Sequence, residues 1–177
     1  MTNPKKIIPT TFFRKDALEI APYLLGCTIC KQSADGQIKR GIVMETEVYR
    51  GEEDLDCHAR KGKTKRNAPL YEQGGIGYVY LIYGIHWLFN VVTGEKDHPQ
   101  GVLIRALMPP LDGPGKWTKA FEITGENNEE LLVPEKGLWF EEGIKPLDYQ
   151  TAPRVGIHYA PALWREKPWR FIYKKEP

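Results

Sequence analysis

A chain of 177 residues, 41% hydrophobic and 27% charged, is long enough for one domain with a substantial core and too apolar to be disordered. No apolar run is long and uncharged enough to cross a bilayer, and MTNPKKIIPT lacks the apolar centre of a signal peptide, so an intracellular protein is expected. The formal net charge of +2 exerts little global pull on a polyanion, so the placement of charge matters more than its total.

In chain order, residues 10–26 contain a predicted helix. Asp16 and Glu19 have capping-box spacing, Ala17, Leu18, Ala21, Leu24 and Leu25 share an apolar face, Gly26 closes it, and Pro22 strains its interior. Residues 27–33 read as a strand, Asp35-Gly36 as a tight turn and residues 37–49 as the returning strand. Cys27 and Cys30 form a C-x-x-C, and Cys57 precedes His58, a set that zinc could in principle use. Strand alternation puts Cys27 and Cys30 on opposite faces, and there is no second C-x-x-C, so no metal site is expected. Period two places Glu45, Glu47 and Tyr49 on one face of the returning strand. Two such carboxylates fit an acid–base pair, or equally the solvated face of an edge strand.

Residues 50–69 read as a long loop, acidic in GEEDLD and then basic. Arg60, Lys61, Lys63, Lys65 and Arg66 fall within seven residues, a run able to track phosphates or simply to solubilise a surface. The stretch 77–92, GYVYLIYGIHWLFNVV, has the aromatic and β-branched composition of strands and reads as a hairpin turning at Tyr83 and Gly84. A tyrosine on a hairpin tip can act as a wedge between stacked bases or cover a cross-strand neighbour. Asn90 is a polar amide in an apolar strand and needs a partner. Residues 101–108 form a strand carrying Arg105, whose guanidinium needs an anion; Glu47 is the predicted partner. PPLDGPG (109–115) is irregular and feeds a short helix over 116–123, with Lys116 in its first turn as a candidate phosphate contact. A loop over 124–136 and a strand over 137–142 follow, then final strands over 154–157 and 169–173 separated by a turn at 161–168. This order predicts an α+β fold, a single domain over 1–177 behind a flexible start over 1–9. Its expected architecture is a curved, largely antiparallel sheet with a protruding β-hairpin and flanking helices.

The ordered set ETEVY (45–49), His58, KTKRN (63–67), YVYLIYG (78–84), Asn90, LIRAL (103–107), GPGK (113–116), RVGI (154–157) and KPWRF (167–171) closely resembles the alkyladenine DNA glycosylase family, the 3-methyladenine glycosylases of the mammalian type. The resemblance runs from about the first helix to near the C-terminus, and ETE-x-Y together with YVYLIYG is highly specific. It implies a monofunctional glycosylase of base excision repair, acting on double-stranded DNA that contains damaged purines. The lesion would be flipped into a pocket, because its sugar bond cannot be reached inside the stack. Glu47 matches the general base that activates water, and Arg105 the residue that positions that water. Tyr49 and Tyr80 match the rings that sandwich the base, His58 a pocket wall, Asn90 the amide that disfavours guanine, and Tyr83 the intercalating wedge. The RVGI turn lies near the water site in the family. Arg60, Lys61, Lys63, Lys65, Arg66 and Lys116 would hold the DNA backbone. Alkylated purines such as 3-methyladenine and 7-methylguanine are activated leaving groups, whereas hypoxanthine and ethenoadenine are neutral. No cofactor, metal or membrane is implied, and a monomer is expected, cytoplasmic in a bacterium or nuclear in a eukaryote. The chain departs from the family in its short 106–112 connection and in Ile85, where methionine is common. Two rivals stand beside this reading: a non-catalytic nucleic-acid-binding domain, and a glycoside hydrolase using Glu45 with Glu47.

Overall fold

Strand β2 (Ile38–Arg50) is the spine of the fold, in a computed structural model that describes residues 5–174. Its first half pairs with β1 (Thr28–Gln32) through the turn at Gly36, and its second half pairs with β5 (Gln100–Leu107). A register shift between Val43 and Thr46 bends β2 and frees its other edge for β8 (Arg170–Tyr173). With β3 (Gly77–Ile82), β4 (His86–Val92), β6 (Leu138–Glu141) and β7 (Tyr149–Ala152), the described residues form an eight-stranded sheet. Its order is β3-β4-β5-β2-β1-β6, with β8 and β7 branching from β2, and every pairing is antiparallel. The α+β, single-domain expectation holds.

Period two sorts the central strands into two faces. Val79, Phe89, Val91, Val102, Ile104 and Val48 join the core beneath α1 (Ala17–Leu24) and α2 (Pro114–Ala120). At the first helix Asp16 caps through Leu18 N–H, so only half of the predicted box forms. Buried Thr46 donates to the Ala21 carbonyl, 2.9 Å, supplying a partner beside the break that Pro22 makes in the helix ladder.

Several boundaries differ from expectation. The second helix starts at Pro114, where a missing N–H costs nothing. The expected loop over 50–69 carries one 3-10 turn, His58–Lys61, and ends in a second, Ala68–Tyr71. Residues 154–157 are a bend, not a strand, since Gly156 takes φ 78° and Arg154 turns inward. Strand β8 pairs with β7 as well as with β2, and a short helix, α3 (Ala162–Arg165), stands where only a turn was expected. Of the flexible start expected over 1–9, residues 1–4 lie outside the described residues. From residue 6 onward the chain is tied to β6: Glu142 N–H donates to the Lys6 carbonyl, and buried Ile8 donates to the Phe140 carbonyl.

Candidate active site

The opposite face of the sheet builds a pocket from one row of side chains. Glu47 on β2 sits across from Leu103 on β5, Leu103 across from Asn90 on β4, and Asn90 across from Tyr78 on β3. Leu88 and Tyr80 are the next cross-strand pair along. All six line an open pocket of about 710 Å³, together with Tyr49, His58, Arg105 and the 155–157 bend. The pocket therefore follows from strand register. A slip of one residue would turn every one of these groups into the core.

Glu47 is fully buried, 0% exposed. Its Oε1 accepts the Val155 N–H at 2.9 Å and lies 3.3 Å from Arg105 Nε, the predicted ion pair. Its Oε2 accepts the Tyr49 hydroxyl at 2.8 Å. Burial raises the Glu47 pKa above the ordinary carboxylate range; Arg105, the Val155 N–H and Tyr49 oppose that rise without cancelling it. A carboxyl so held keeps its basicity high and its orientation fixed, as a general base requires. Glu45, by contrast, is half-buried and taken by Arg170 Nε at 2.9 Å on β8, so it is not free to form an acid–base pair with Glu47.

The walls are aromatic. Tyr78 and Tyr80 sit 5.3 Å apart between ring centroids, and His58 packs edge-on to Tyr80 at 4.6 Å. His58 Nδ1 shares a hydrogen bond of 2.9 Å with the Tyr78 hydroxyl. Burial first, then the nearby Arg66 and Arg60, push the His58 pKa down to about 4, so its ring is neutral at physiological pH. Buried Asn90 donates to the Tyr78 carbonyl at 3.2 Å, which answers the need that an amide in an apolar strand creates. At the mouth, Tyr83 tips the β3–β4 hairpin with 89% of its surface exposed. Tyr83 and Gly84 take φ of 50° and 68°, the signs of a primed hairpin turn. An aromatic residue is strained at such a φ, where asparagine or glycine would be at ease.

Two features of the site lie outside the sequence expectations. Arg154, 0% exposed in its side chain, forks onto Asp54 (2.7 and 2.9 Å) and reaches Asp56 at 2.7 Å and the Val48 carbonyl at 2.8 Å. Its guanidinium also lies over the Tyr49 ring, 4.8 Å from the centroid. This anchor sets the bend so that the next residue, Val155, points its N–H at Glu47. No local signal links GEEDLD to an arginine about a hundred residues away; their shared burial is tertiary. Tyr78, two residues before Tyr80, was findable, because period two places both on one face.

The basic residues are dispersed. Arg66 lines the pocket with its guanidinium 5.7 Å from the Tyr80 centroid, Lys63 lies over Tyr71, and Arg60 lies over Tyr159. Lys61 and Lys65 are exposed, and Lys116 pairs with Asp112 at 2.6 Å. Among the described residues, no group of three or more His, Cys, Asp and Glu side chains could hold a metal ion.

The family described as "Methylpurine-DNA glycosylase (MPG)" matches residues 11–177, nearly the whole chain. The chain belongs to the methylpurine-DNA glycosylase family. Proteins named "Putative 3-methyladenine DNA glycosylase" in Clostridium botulinum (strain Alaska E43 / Type E3) and Chlamydia felis (strain Fe/C-56) are each 39% identical to it. The first alignment covers 95% of this chain and 96% of the relative, the second 94% and 95%. A Bacillus subtilis (strain 168) protein of the same name is 37% identical over 97% of this chain and 95% of its own. Membership makes the chain a DNA glycosylase, a hydrolase of N-glycosyl compounds. In this family member the pocket joins aromatic walls to a fully buried carboxylate.

Proposed function

We propose that this glycosylase is monofunctional, and that it flips alkylated or deaminated purines, 3-methyladenine and 7-methylguanine foremost, out of duplex DNA into the pocket. Glu47 then deprotonates a water that attacks the anomeric carbon, and its negative charge favours an oxocarbenium-like transition state. One observation carries this reading: a fully buried carboxylate, bonded to Tyr49 and beside Arg105, in a pocket walled by Tyr78, Tyr80 and His58. Tyr49 and Tyr80 supply sequence-tolerant stacking, with cation–π attraction added for a cationic base. His58 is a neutral wall, Asn90 screens against guanine, and Arg105 positions Glu47 and the water. Arg60, Lys61, Lys63, Lys65, Arg66 and Lys116 supply the backbone contacts, with Lys116 exchanging Asp112 for a phosphate. The test is release of free base from a duplex bearing one lesion. Activity absent on every lesion, with binding intact, would favour the non-catalytic reading.

Two consequences follow directly. Arg105→Ala removes the main influence holding the Glu47 pKa down, so it should move the acidic limb of the kcat/KM profile for base release to higher pH. A limb left in place would detach Arg105 from Glu47. Tyr83→Ala should lower release from duplex DNA by about tenfold or more, the worth of a stacked base contact, and cost less on single-stranded substrate. Because Tyr83 is so exposed, its melting temperature should stay that of the parent. An equal loss on both substrates would remove the wedge role.

A further inference from the structure

The base pocket borders a buried carboxylate that the hydrolysis does not use. Asp56 lines the pocket and is 2% exposed, yet its Oδ1 has no hydrogen-bond partner. Its Oδ2 shares Arg154 Nη2 with Asp54. Asp54 already meets Arg154 in a two-point fork and also accepts the Arg50 and Asp56 N–H groups. One guanidinium thus faces two carboxylates, and Asp54 has the better share. Elsewhere in the pocket, Glu47 is offset by Arg105, and His58 is neutral. Arg60 and Arg66 are exposed, where solvent screens them. With each carboxylate ionised, the buried charges sum to one surplus negative, and Asp56 is its source; burial raises the Asp56 pKa, Arg154 opposes that rise and Asp54 adds to it.

We propose that Asp56 is a specificity determinant, biasing this pocket toward purines that carry a positive charge. The inference rests on the glycosylase reading above and narrows its substrate class. When the bond between C1′ and an alkylated purine nitrogen breaks, positive charge passes from base to sugar, and the bound nucleoside stays at net +1 throughout. A neutral lesion such as hypoxanthine stays at net zero. A surplus buried carboxylate stabilises the first along the whole path and the second hardly at all. Leaving a buried carboxylate oxygen unpartnered costs stability, which fits a group kept for selectivity.

The test compares kcat/KM for release of 7-methylguanine and of hypoxanthine, with Asp56→Asn set beside the parent. Asparagine keeps the shape and can still accept from Arg154. The variant should lose about tenfold on 7-methylguanine, the scale of one unit charge at effective dielectric near 20, and little on hypoxanthine. Its melting temperature should equal or exceed that of the parent. An unchanged ratio with a lower melting temperature would make Asp56 a structural partner of Arg154 only, and overturn the proposal. Selective loss of hypoxanthine release would make it a proton donor, and overturn it too. Should the parent act only on the cationic lesion, the fall on that lesion with melting temperature kept decides for the proposal, and no fall decides against it. Should the parent release neither base, the glycosylase reading itself fails, and this inference falls with it.

Discussion

Glu47→Gln is expected to reduce base release by about 10²–10⁴-fold, the usual worth of a general base, while duplex binding persists. Glutamine keeps the shape and can still accept the Val155 N–H through its amide oxygen, so the pocket should survive. What goes is the proton acceptor and the negative charge facing the developing oxocarbenium ion. Single-turnover release and a gel-shift titration on the same duplex separate the two effects. A variant retaining more than about a tenth of the parental rate would take Glu47 out of the chemistry. Glu45→Gln should be mild in the same assay, because Glu45 is occupied by Arg170 on a half-exposed edge, where such pairs contribute about 1 kcal/mol or less. Equal damage from the two would revive the paired-carboxylate reading.

The Glu47→Gln protein also has a stability signature. The folded state raises the Glu47 pKa, so Glu47 binds its proton more tightly folded than unfolded. Its contribution to stability is full below the ordinary glutamate value and is lost as pH rises through the folded value. The glutamine variant cannot lose it. Its melting temperature relative to the parent should therefore climb as the pH rises above the ordinary glutamate value of about 4. A difference that stays flat as the pH rises would mean that burial does not dominate at Glu47. Higher stability with activity lost is the pattern expected of a residue kept for function.

Arg154→Leu should be the most damaging single change to the fold, at about 3–5 kcal/mol, because it strands Asp54 and Asp56 as buried carboxylates without their cation. Against a total stability of about 5–15 kcal/mol, that lowers the melting temperature by roughly 10 °C or more. Arg154→Lys keeps the charge but not the fork, and should fall between. The loss reaches the chemistry as well: without Arg154 the bend is unanchored, and Glu47 loses the Val155 N–H that helps hold its pKa down. Thermal melts of purified variants decide the first point, and the pH profile of any folded remnant the second. A shift of only a degree or two would mean that the carboxylates find other partners.

The elements most legible in the sequence were those written in short-range patterns. The β3–β4 hairpin follows from its β-branched and aromatic run and from a glycine at the bend, and the β1–β2 hairpin from Asp35-Gly36. The Glu47–Arg105 pair is only half legible: a guanidinium in an apolar strand demands a carboxylate or phosphate, but residue type alone does not single out Glu47, and the structure supplies the choice. RVGI (154–157) has strand composition, yet the segment is a bend. Its conformation is set instead by Gly156 and by the inward pull of two aspartates on Arg154.

Sequence by itself determined which face each residue presents in β3, in β4 and in β2 from Thr46 onward, because alternation is a property of extended backbone alone; the bulge between Val43 and Thr46 is where that alternation breaks. It thereby set Glu47, Tyr49, Tyr80 and Asn90 apart from the core. Only the tertiary structure decided what surrounds them. The register that lines Glu47 up with Leu103, Asn90 and Tyr78, the Val155 N–H on Glu47, and the Arg154 cluster all join segments far apart in the chain. Such contacts depend on burial and on charge sharing at low dielectric, and neither exists until the chain has closed around them.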